Sequence, residues 1–243
     1  MELKFVTYNI HKAIGNDRKF RPERIIEILR ELDADFLALQ EVDHNVPRSG
    51  NEDLAAMIAE GLGMHHALGL NVKLSKGAYG NATLSKYPII GSRNMNITWG
   101  IKKRRGCLVT HIRLPKKKEL VIFNIHLGLA AFERQFQIKR VLDSHSLTAL
   151  KHLPQIILGD TNDHNHKLTA IMEAAGFHDS VNGHGKGHHT FPSFTPRSMR
   201  PLLRLDKVFY NDQLSAAEHK VIVNAQTRVA SDHLPLAVRL RIR

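Results

Sequence analysis

A chain of 243 residues is long enough to bury a sizeable core, and its 42% hydrophobic and 24% charged residues are ordinary globular values. No apolar run approaches the roughly 20 residues of a membrane-spanning helix, and the opening MELKFVTYNIH lacks the features of a signal peptide. The single cysteine, Cys107, excludes an internal disulfide and argues against a zinc–thiolate site. We therefore expect a soluble cytoplasmic protein, with a monomer as the default state.

The formal charge of +12 favours an anionic partner. Nucleic acid, a phosphorylated metabolite and an acidic membrane surface all fit this charge, and so does a basic surface that is merely solvated. Charge alone does not choose among these interpretations.

The first predicted elements form a strand–helix–strand unit. Leu3 to Tyr8 alternates with the period of a strand, Pro22 opens a helix with apolar residues at helical spacing, and DFLALQEV (Asp35 to Val42) reads as a buried strand. Such a unit implies a sheet with helices packed on it.

The later elements alternate between helices and strands without a repeat or a linker. In chain order they are a helix around Leu54 to Leu62, strands at Ala82 to Ser85, Cys107 to Leu114 and Leu120 to Ile125, an amphipathic stretch from Phe132 to about Leu153, a strand at Gln155 to Leu158, a helix near Leu168 to Ala175, and strands at Leu205 to Tyr210, His219 to Val223 and Leu236 to Ile242. This order predicts a single α/β domain, residues 1–243, with two packed sheets flanked by helices.

One long irregular segment interrupts this pattern, NGHGKGHHTFPSFTPRSMR, residues 182–200. Loops of this length are usually functional or disordered, and this one leads directly into Asp206. We expect it to border a substrate cleft. Flexible histidines flanked by glycine are more often solvent-exposed than metal-bound, which is our interpretation of His184, His188 and His189.

Several apolar strands end in acidic, amide or imidazole residues. These residues are Asn9, His11, Glu41, His126, Asp160, Asn162, Asp206, Asp232 and His233. Each alone is typical of a cap or a turn, but strand ends of layered α/β proteins are where binding residues collect. Oxygen ligands of this kind suit Mg²⁺ or Mn²⁺, and imidazoles beside them suit a phosphoryl group.

The ordered motifs TYNIH, LQEVD, GNATLSKYP, NIHLG, GDTND, RLDKVF and SDHLP resemble those of the endonuclease/exonuclease/phosphatase superfamily. The resemblance covers nearly the whole chain, from Asn9 to His233. It implies a four-layer α/β/β/α sandwich of two packed mixed sheets and phosphoester hydrolysis dependent on Mg²⁺ or Mn²⁺.

The resemblance also implies roles for individual residues. Asn9, Glu41 and Asp232 resemble metal-side residues, with Glu41 the principal ligand. The catalytic set is His126, Asp160, Asn162, Asp206 and His233, in which Asp160 and Asn162 orient water and contact phosphate, and Asp206 orients His233. In the deoxyribonuclease branch an acid holds the ring of the histidine that His126 resembles. Asn81 stands at the position of that acid, which weakens an acid–base role for His126.

Arg48, Arg105 and Arg134 lie near the motifs and, with Asn81, are candidates for substrate binding. The RLDKVF motif differs from the inositol 5-phosphatase pattern, and GNATLSKYP and TFPSFTP look more like small bacterial members.

The main prediction is a phosphodiesterase acting on nucleic acid or on a phospholipid headgroup. The alternatives are a phosphomonoesterase for a sugar or inositol phosphate and a non-catalytic protein that keeps the fold and binds an anionic ligand.

Overall fold

The computed structural model of the chain describes residues 1–181, 188–194 and 201–243. Within these ranges twelve strands form two sheets of six, and each sheet contains both parallel and antiparallel pairs. No helix in these ranges is long and apolar enough to cross a membrane. The prediction of two mixed sheets flanked by helices is confirmed.

The strands, in chain order, are β1 (Glu2–Asn9), β2 (Phe36–His44), β3 (His65–Lys73), β4 (Ala78–Ser85), β5 (Ile89–Asn96), β6 (Gly106–Arg113), β7 (Glu119–His126), β8 (Gln155–Asp160), β9 (Phe177–Asp179), β10 (Asp206–Asn211), β11 (Leu214–Val221) and β12 (Leu236–Ile242). The first sheet has the order β11-β12-β1-β2-β4-β3, and the second has the order β5-β6-β7-β8-β10-β9. The parallel pairs are β1 with β2 and β7 with β8.

Helices cover the outer face of each sheet. The helices are α1 (Pro22–Leu32), α2 (Leu54–Leu62), α3 (Ala131–Leu142), α4 (His145–Thr148), α5 (Lys167–Ala174) and α6 (Ala225–Ala230). Buried residues of α1, α2 and α6 pack on the first sheet, and those of α3, α4 and α5 pack on the second. Helix α1 begins with Pro22 in its first turn, and the Asp53 side chain caps α2 by accepting from the backbone N–H of Ala56.

The inner faces of the two sheets make the central core. Phe5 of β1 stacks on Phe36 of β2 with ring centroids 4.8 Å apart, and both face Ile122 and Leu158 of the second sheet. The chain therefore folds into the layers helix, sheet, sheet, helix, and strands such as β4, β7 and β8 are buried on both faces because a sheet lies on one side and helices on the other.

Several elements differ from the sequence prediction, among them strand β9 and helix α6, which were not predicted, and β11, which begins at Leu214 instead of His219. The edge strands β3 and β5 were not predicted, because their residues are mostly exposed or half-buried and show no clear apolar alternation. The amphipathic stretch beginning at Phe132 is two helices, since Ser144 adopts an extended conformation (ψ 143°) between α3 and α4.

Candidate active site

The sheet topology brings the predicted site residues to one end of the sandwich. Asn9 ends β1, His126 ends β7 and Asp160 ends β8. In the strand register Asp160 pairs with His126 on one side and with Asp206, the first residue of β10, on the other. The parallel pairs thus deliver their carboxyl-end side chains to the same edge.

The carboxylate of Asp160 is the centre of this cluster. Its Oδ2 lies 3.1 Å from Nδ2 of Asn9, 3.4 Å from Nε2 of His126 and 3.6 Å from Nε2 of His233. Its Oδ1 accepts a hydrogen bond of 3.0 Å from the backbone N–H of Asn162. Asp160 is 2% exposed, and this burial raises its pKa to about 6 against the opposing effect of His233.

Glycine is required immediately before this carboxylate. Gly159 has φ +145°, and a Cβ there would lie 1.9 Å from the carbonyl oxygen of Ile125 on the neighbouring strand. The close approach of β7 and β8 therefore depends on the first residue of the GDTND motif.

His233 is held by a second carboxylate beneath it. Its Nδ1 lies 2.8 Å from Oδ2 of Asp206, and both side chains are buried. Burial alone would lower the pKa of His233, but the facing Asp206 and Asp160 outweigh it and raise the pKa to about 10. His233 is therefore an imidazolium at neutral pH, with Nδ1–H donating to Asp206 and Nε2–H directed at Asp160.

His126 has the opposite protonation preference. Burial first, and the nearby Arg105 guanidinium second, lower its pKa well below the usual range for histidine. Arg105 is 8% exposed, and its Nε has no hydrogen-bond partner among the described residues. A neutral imidazole and a buried guanidinium group thus lie on the side of the cluster nearest β6 and β7.

Glu41 is aimed by a bulge in β2. The pairing of β2 with β4 shifts register between Leu39 and Val42, and Glu41 has φ +56°. Although burial opposes ionisation, the nearby His126 and Lys12 lower the pKa of Glu41 to about 2. Lys12 forms an ion pair with Oε2 of Glu41 from the short helical turn His11–Ala13. Sequence reasoning did not identify Lys12.

The residues around Glu41 fit a hydrated hard cation. Its Oε2 pairs with the Lys12 ammonium group, so a positive charge already lies against this carboxylate, and Asn9 contributes an amide oxygen that accepts from the backbone N–H of His11 at 3.1 Å. The described residues contain no group of three or more His, Cys, Asp or Glu side chains arranged for a metal. A Mg²⁺ ion bound through one or two carboxylates and several waters fits this arrangement better than a closed protein cage does.

Asp232 and Asn162 are half-buried at the edge of the cluster around Asp160. Ser231 donates through Oγ to the carbonyl oxygen of Asn9 at 2.6 Å, which ties the turn before β12 to the end of β1, and the same Oγ lies 3.3 Å from Oδ1 of Asp232. Asn162 has φ +50°, a conformation that asparagine tolerates, and its Nδ2 donates to the carbonyl oxygen of Leu127 at 2.9 Å.

The described part of the long irregular loop contacts the cluster. The ring of Phe191 lies 5.0 Å from that of His233, and Oγ1 of Thr190 accepts from the backbone N–H of Asp206 at 3.3 Å. The backbone N–H of Ser193 donates to the carbonyl oxygen of Asp232 at 2.7 Å. This agrees with the expectation that the loop borders the cleft. His184 lies outside the described residues.

Three residues that were predicted to bind substrate have partners inside the protein. Asn81 donates through Nδ2 to the carbonyl oxygens of Gly106 and Asn124, both at 3.1 Å, so this amide group is bonded to backbone and not to His126. Arg48 forms a bidentate pair with the buried Asp43 at 2.8 Å. Arg134 is 1% exposed, which leaves its guanidinium group no access to a ligand.

An amide layer beneath the cluster was also missed from the sequence. Gln40 donates through Nε2 to Oδ1 of Asn124 at 2.9 Å, and Asn124 donates through Nδ2 to the carbonyl oxygens of Leu39 and Ala82. These bonds join the two sheets directly below the site. Inward-pointing amides in otherwise apolar strands were the available signal, since a buried amide must find partners.

The fold and the cluster place this chain among the α/β/β/α sandwich proteins, with carboxylates and imidazoles gathered at one end of the two sheets. The family model described as endonuclease/exonuclease/phosphatase family matches residues 6–233, and the chain belongs to this family. The family includes phosphodiesterases, nucleases and phosphatases, and its members are generally hydrolases that act on phosphoesters and typically use divalent metals.

Individual relatives agree with this assignment. The chain is 28% identical over 257 residues to the uncharacterized protein YbhP of Escherichia coli K12, covering 98% of this chain and 96% of that protein. It is similar to an endonuclease/exonuclease/phosphatase of Beutenbergia cavernae (TM-score 0.85, 25% identity, covering 99% of this chain and 72% of that one). The mannosyl-6-phosphatase Bt3783 of Bacteroides thetaiotaomicron shares the fold (TM-score 0.79, 20% identity, covering 99% of this chain and 100% of that one).

Proposed function

We propose that this chain is a divalent-metal-dependent phosphodiesterase. The observation that carries the proposal is the convergence of Asn9, His126 and His233 on a single oxygen of Asp160, with Asp206 behind His233. Two carboxylates and two histidines of opposite protonation, gathered in one buried cluster, suit in-line attack of water on a phosphoester.

Asp160 is the candidate general base. Its pKa of about 6 leaves it ionised at neutral pH yet basic enough to take a proton from an attacking water. The hydrogen bonds from Asn9 to Oδ2 and from the Asn162 backbone to Oδ1 fix the plane of the carboxylate, so that the water is held in one orientation.

His233 and His126 have different roles in this scheme. The imidazolium of His233 presents a positive charge to the phosphate while Asp206 holds its tautomer. The neutral His126 donates one N–H to a phosphate oxygen without adding charge, and Arg105 beside it supplies a guanidinium group to the same anion.

Glu41 would hold the metal, with Asn9 and Asp232 on the same side and Lys12 as its present partner. Bound there, Mg²⁺ or Mn²⁺ would neutralise charge on the phosphate and stabilise the leaving oxygen. The net charge of +12 favours nucleic acid or an environment rich in phosphodiesters over a small neutral ester.

The test is turnover of bis(p-nitrophenyl) phosphate against p-nitrophenyl phosphate with Mg²⁺ and Mn²⁺, followed by abasic DNA, single-stranded DNA, RNA, anionic phospholipids and inositol phosphates. We expect faster turnover of the diester, and we expect Asp160→Asn and His233→Ala each to reduce it by at least about 100-fold.

The matched control is His178→Ala. His178 forms an exposed pair with Asp212 at 2.6 Å, so this substitution breaks a similar His–Asp contact far from the cluster. Its activity should equal that of the wild type. Faster turnover of the monoester would favour the phosphomonoesterase alternative, and no turnover with either metal across the panel would favour the non-catalytic one.

A further inference from the structure

An exposed apolar patch lies on one side of the candidate site. It consists of Trp99 and Ile101 in the loop between β5 and β6, of Leu129 just before α3, and of Phe132 and Phe136 in the first half of α3. Ile101 is 103% exposed and Leu129 is 73% exposed, so the first of these aliphatic side chains projects fully into solvent and the second largely does. We name these five residues the apolar rim.

Contacts join the two segments into one surface. The rings of Trp99 and Phe132 meet edge to face with centroids 4.9 Å apart. The backbone N–H of Lys102 donates to the carbonyl oxygen of Trp99 at 3.1 Å, which closes a tight turn that carries Ile101 at its tip. Phe136 lies one helical turn after Phe132 and therefore on the same side of α3.

The charge around the apolar rim has one sign. Lys102, Lys103 and Arg104 follow Ile101 directly and are exposed, and the guanidinium group of Arg140 lies 6.0 Å from the ring of Phe136. Residues 97–105 and 129–140 contain one acidic side chain, Glu133, which is 7% exposed. These two segments thus present apolar tips and cations and contribute no exposed carboxylate.

The loop that carries the tip also reaches the candidate site. Arg105 follows the three cations and is one of the charges that lower the pKa of His126, as is Lys103. The other end of the rim, Leu129, lies three residues after His126. A surface bound to the apolar rim would therefore lie next to the cluster.

We propose that the apolar rim docks the protein on an anionic lipid bilayer, with the candidate site facing the headgroups. Tryptophan, phenylalanine and aliphatic tips beside lysine and arginine are the combination that enters the interface of a negatively charged membrane. A stacking platform for nucleic-acid bases is the weaker match, because Ile101 and Leu129 have no aromatic face and Trp99 and Phe132 already contact each other. The orientation toward headgroup phosphodiesters rests on the proposed function, but docking itself does not.

Vesicle co-sedimentation tests the docking without metal or turnover. Wild-type protein should bind vesicles of equal parts phosphatidylcholine and phosphatidylglycerol and bind pure phosphatidylcholine at least about tenfold more weakly. Ile101→Ser with Leu129→Ser should weaken binding to the anionic vesicles about tenfold, and Lys102→Glu with Arg104→Glu by at least that factor.

Matched controls exist for both pairs. Ile90→Ser with Val223→Ser removes two partly exposed apolar side chains outside the rim (37% and 47%). Lys116→Glu with Lys117→Glu makes the same charge change in the turn Pro115–Lys117, at the opposite end of β6. Both control proteins should bind as the wild type does.

The docking proposal is overturned if wild-type protein binds neither vesicle, if the rim variants bind as tightly as their controls, or if the rim variants instead lose affinity for a single-stranded oligonucleotide. Turnover of soluble bis(p-nitrophenyl) phosphate should be unchanged by Ile101→Ser with Leu129→Ser. Absence of that turnover in the wild type contradicts the proposed function. It does not affect the docking proposal, which the vesicle binding tests by itself.

Discussion

Asp163 anchors a buried cluster of charges behind the candidate site, and its replacement is the sharpest stability test that the structure offers. Its Oδ2 lies 2.6 Å from Nζ of Lys207 and accepts at 3.0 Å from the backbone N–H of Leu168, while Nε of Arg134 lies 3.8 Å from Oδ1. Asp163, Lys207 and Arg134 are 0%, 0% and 1% exposed. Asp163→Asn would keep the shape but leave two cations buried without a counterion.

The expected cost follows from these contacts. Two charges about 4 Å apart attract by about 4 kcal/mol at an effective dielectric constant of about 20, and breaking a buried pair typically costs about 3–5 kcal/mol. Deprotonating Lys207 limits the loss, because neutralising a lysine of pKa about 10.4 at pH 7 costs about 5 kcal/mol. We therefore expect Asp163→Asn to lower the free energy of unfolding by about 3–5 kcal/mol.

Urea unfolding followed by circular dichroism measures this. The stability of Asp163→Asn should rise with pH above 7 more steeply than that of the wild type, because a neutral Lys207 in the native state binds one proton fewer than the same lysine in the unfolded chain until the pH nears about 10. Adding Lys207→Met should recover part of the loss, because it removes one of the stranded cations.

The exposed pair Lys86–Asp33 supplies the control, with Asp33 82% exposed. Asp33→Asn should cost less than about 1 kcal/mol. A loss of less than about 1 kcal/mol for Asp163→Asn, or strict additivity of the Asp163 and Lys207 substitutions, would refute the reasoning.

Three further predictions concern the imidazoles and the loop. In metal-free protein, Asp206→Asn should lower the pKa of His233 from about 10 by about three pH units, since the lost attraction is about 4 kcal/mol; an unchanged imidazole titration by NMR would contradict this. Burial lowers the pKa of His219 to about 3 in the folded protein. As the pH falls below about 6.5, His219 is therefore protonated in the unfolded chain while it is still neutral in the folded protein. His219 should therefore cost up to about 2 kcal/mol of stability between pH 6.5 and pH 5, and His219→Gln should flatten that part of the urea-measured profile. Replacing residues 182–200 with a Gly-Ser linker removes the Phe191 ring next to His233 and should change substrate preference; identical kinetics on every substrate would count against a role for the loop.

The sequence predicted the central parts of the fold because burial and periodicity coincide there. Helix α2 and strand β12 have the predicted bounds, and β8 and β10 differ by one or two residues. Strands β3 and β5 were not predicted because most of their residues are exposed or half-buried, so neither a buried apolar run nor a clear alternation marks them in the sequence.

The candidate site could be predicted as a set but not as a geometry. Motif order placed Asn9, His126, Asp160, Asp206 and His233 together, and the strand register brings these residues to one edge. Motif order did not show which of the nearby arginines lie in the site. Arg105 lies in the cluster while Arg134 points into the buried pair with Asp163, because nearness in sequence does not fix the direction of a long side chain.

The opposite pKa shifts of the two histidines could not be predicted from the sequence. His126 and His233 both approach Oδ2 of Asp160, at 3.4 and 3.6 Å, yet their pKa values move in opposite directions. Both are buried, so desolvation does not distinguish them, and their neighbours do: Asp206 lies against His233, whereas Arg105 lies near His126. A cation and a neutral donor beside one carboxylate can bind a phosphate and still leave that carboxylate ionised to accept a proton. In the proposed mechanism, His233 supplies the positive charge, His126 supplies a neutral N–H donor and Asp160 accepts the proton.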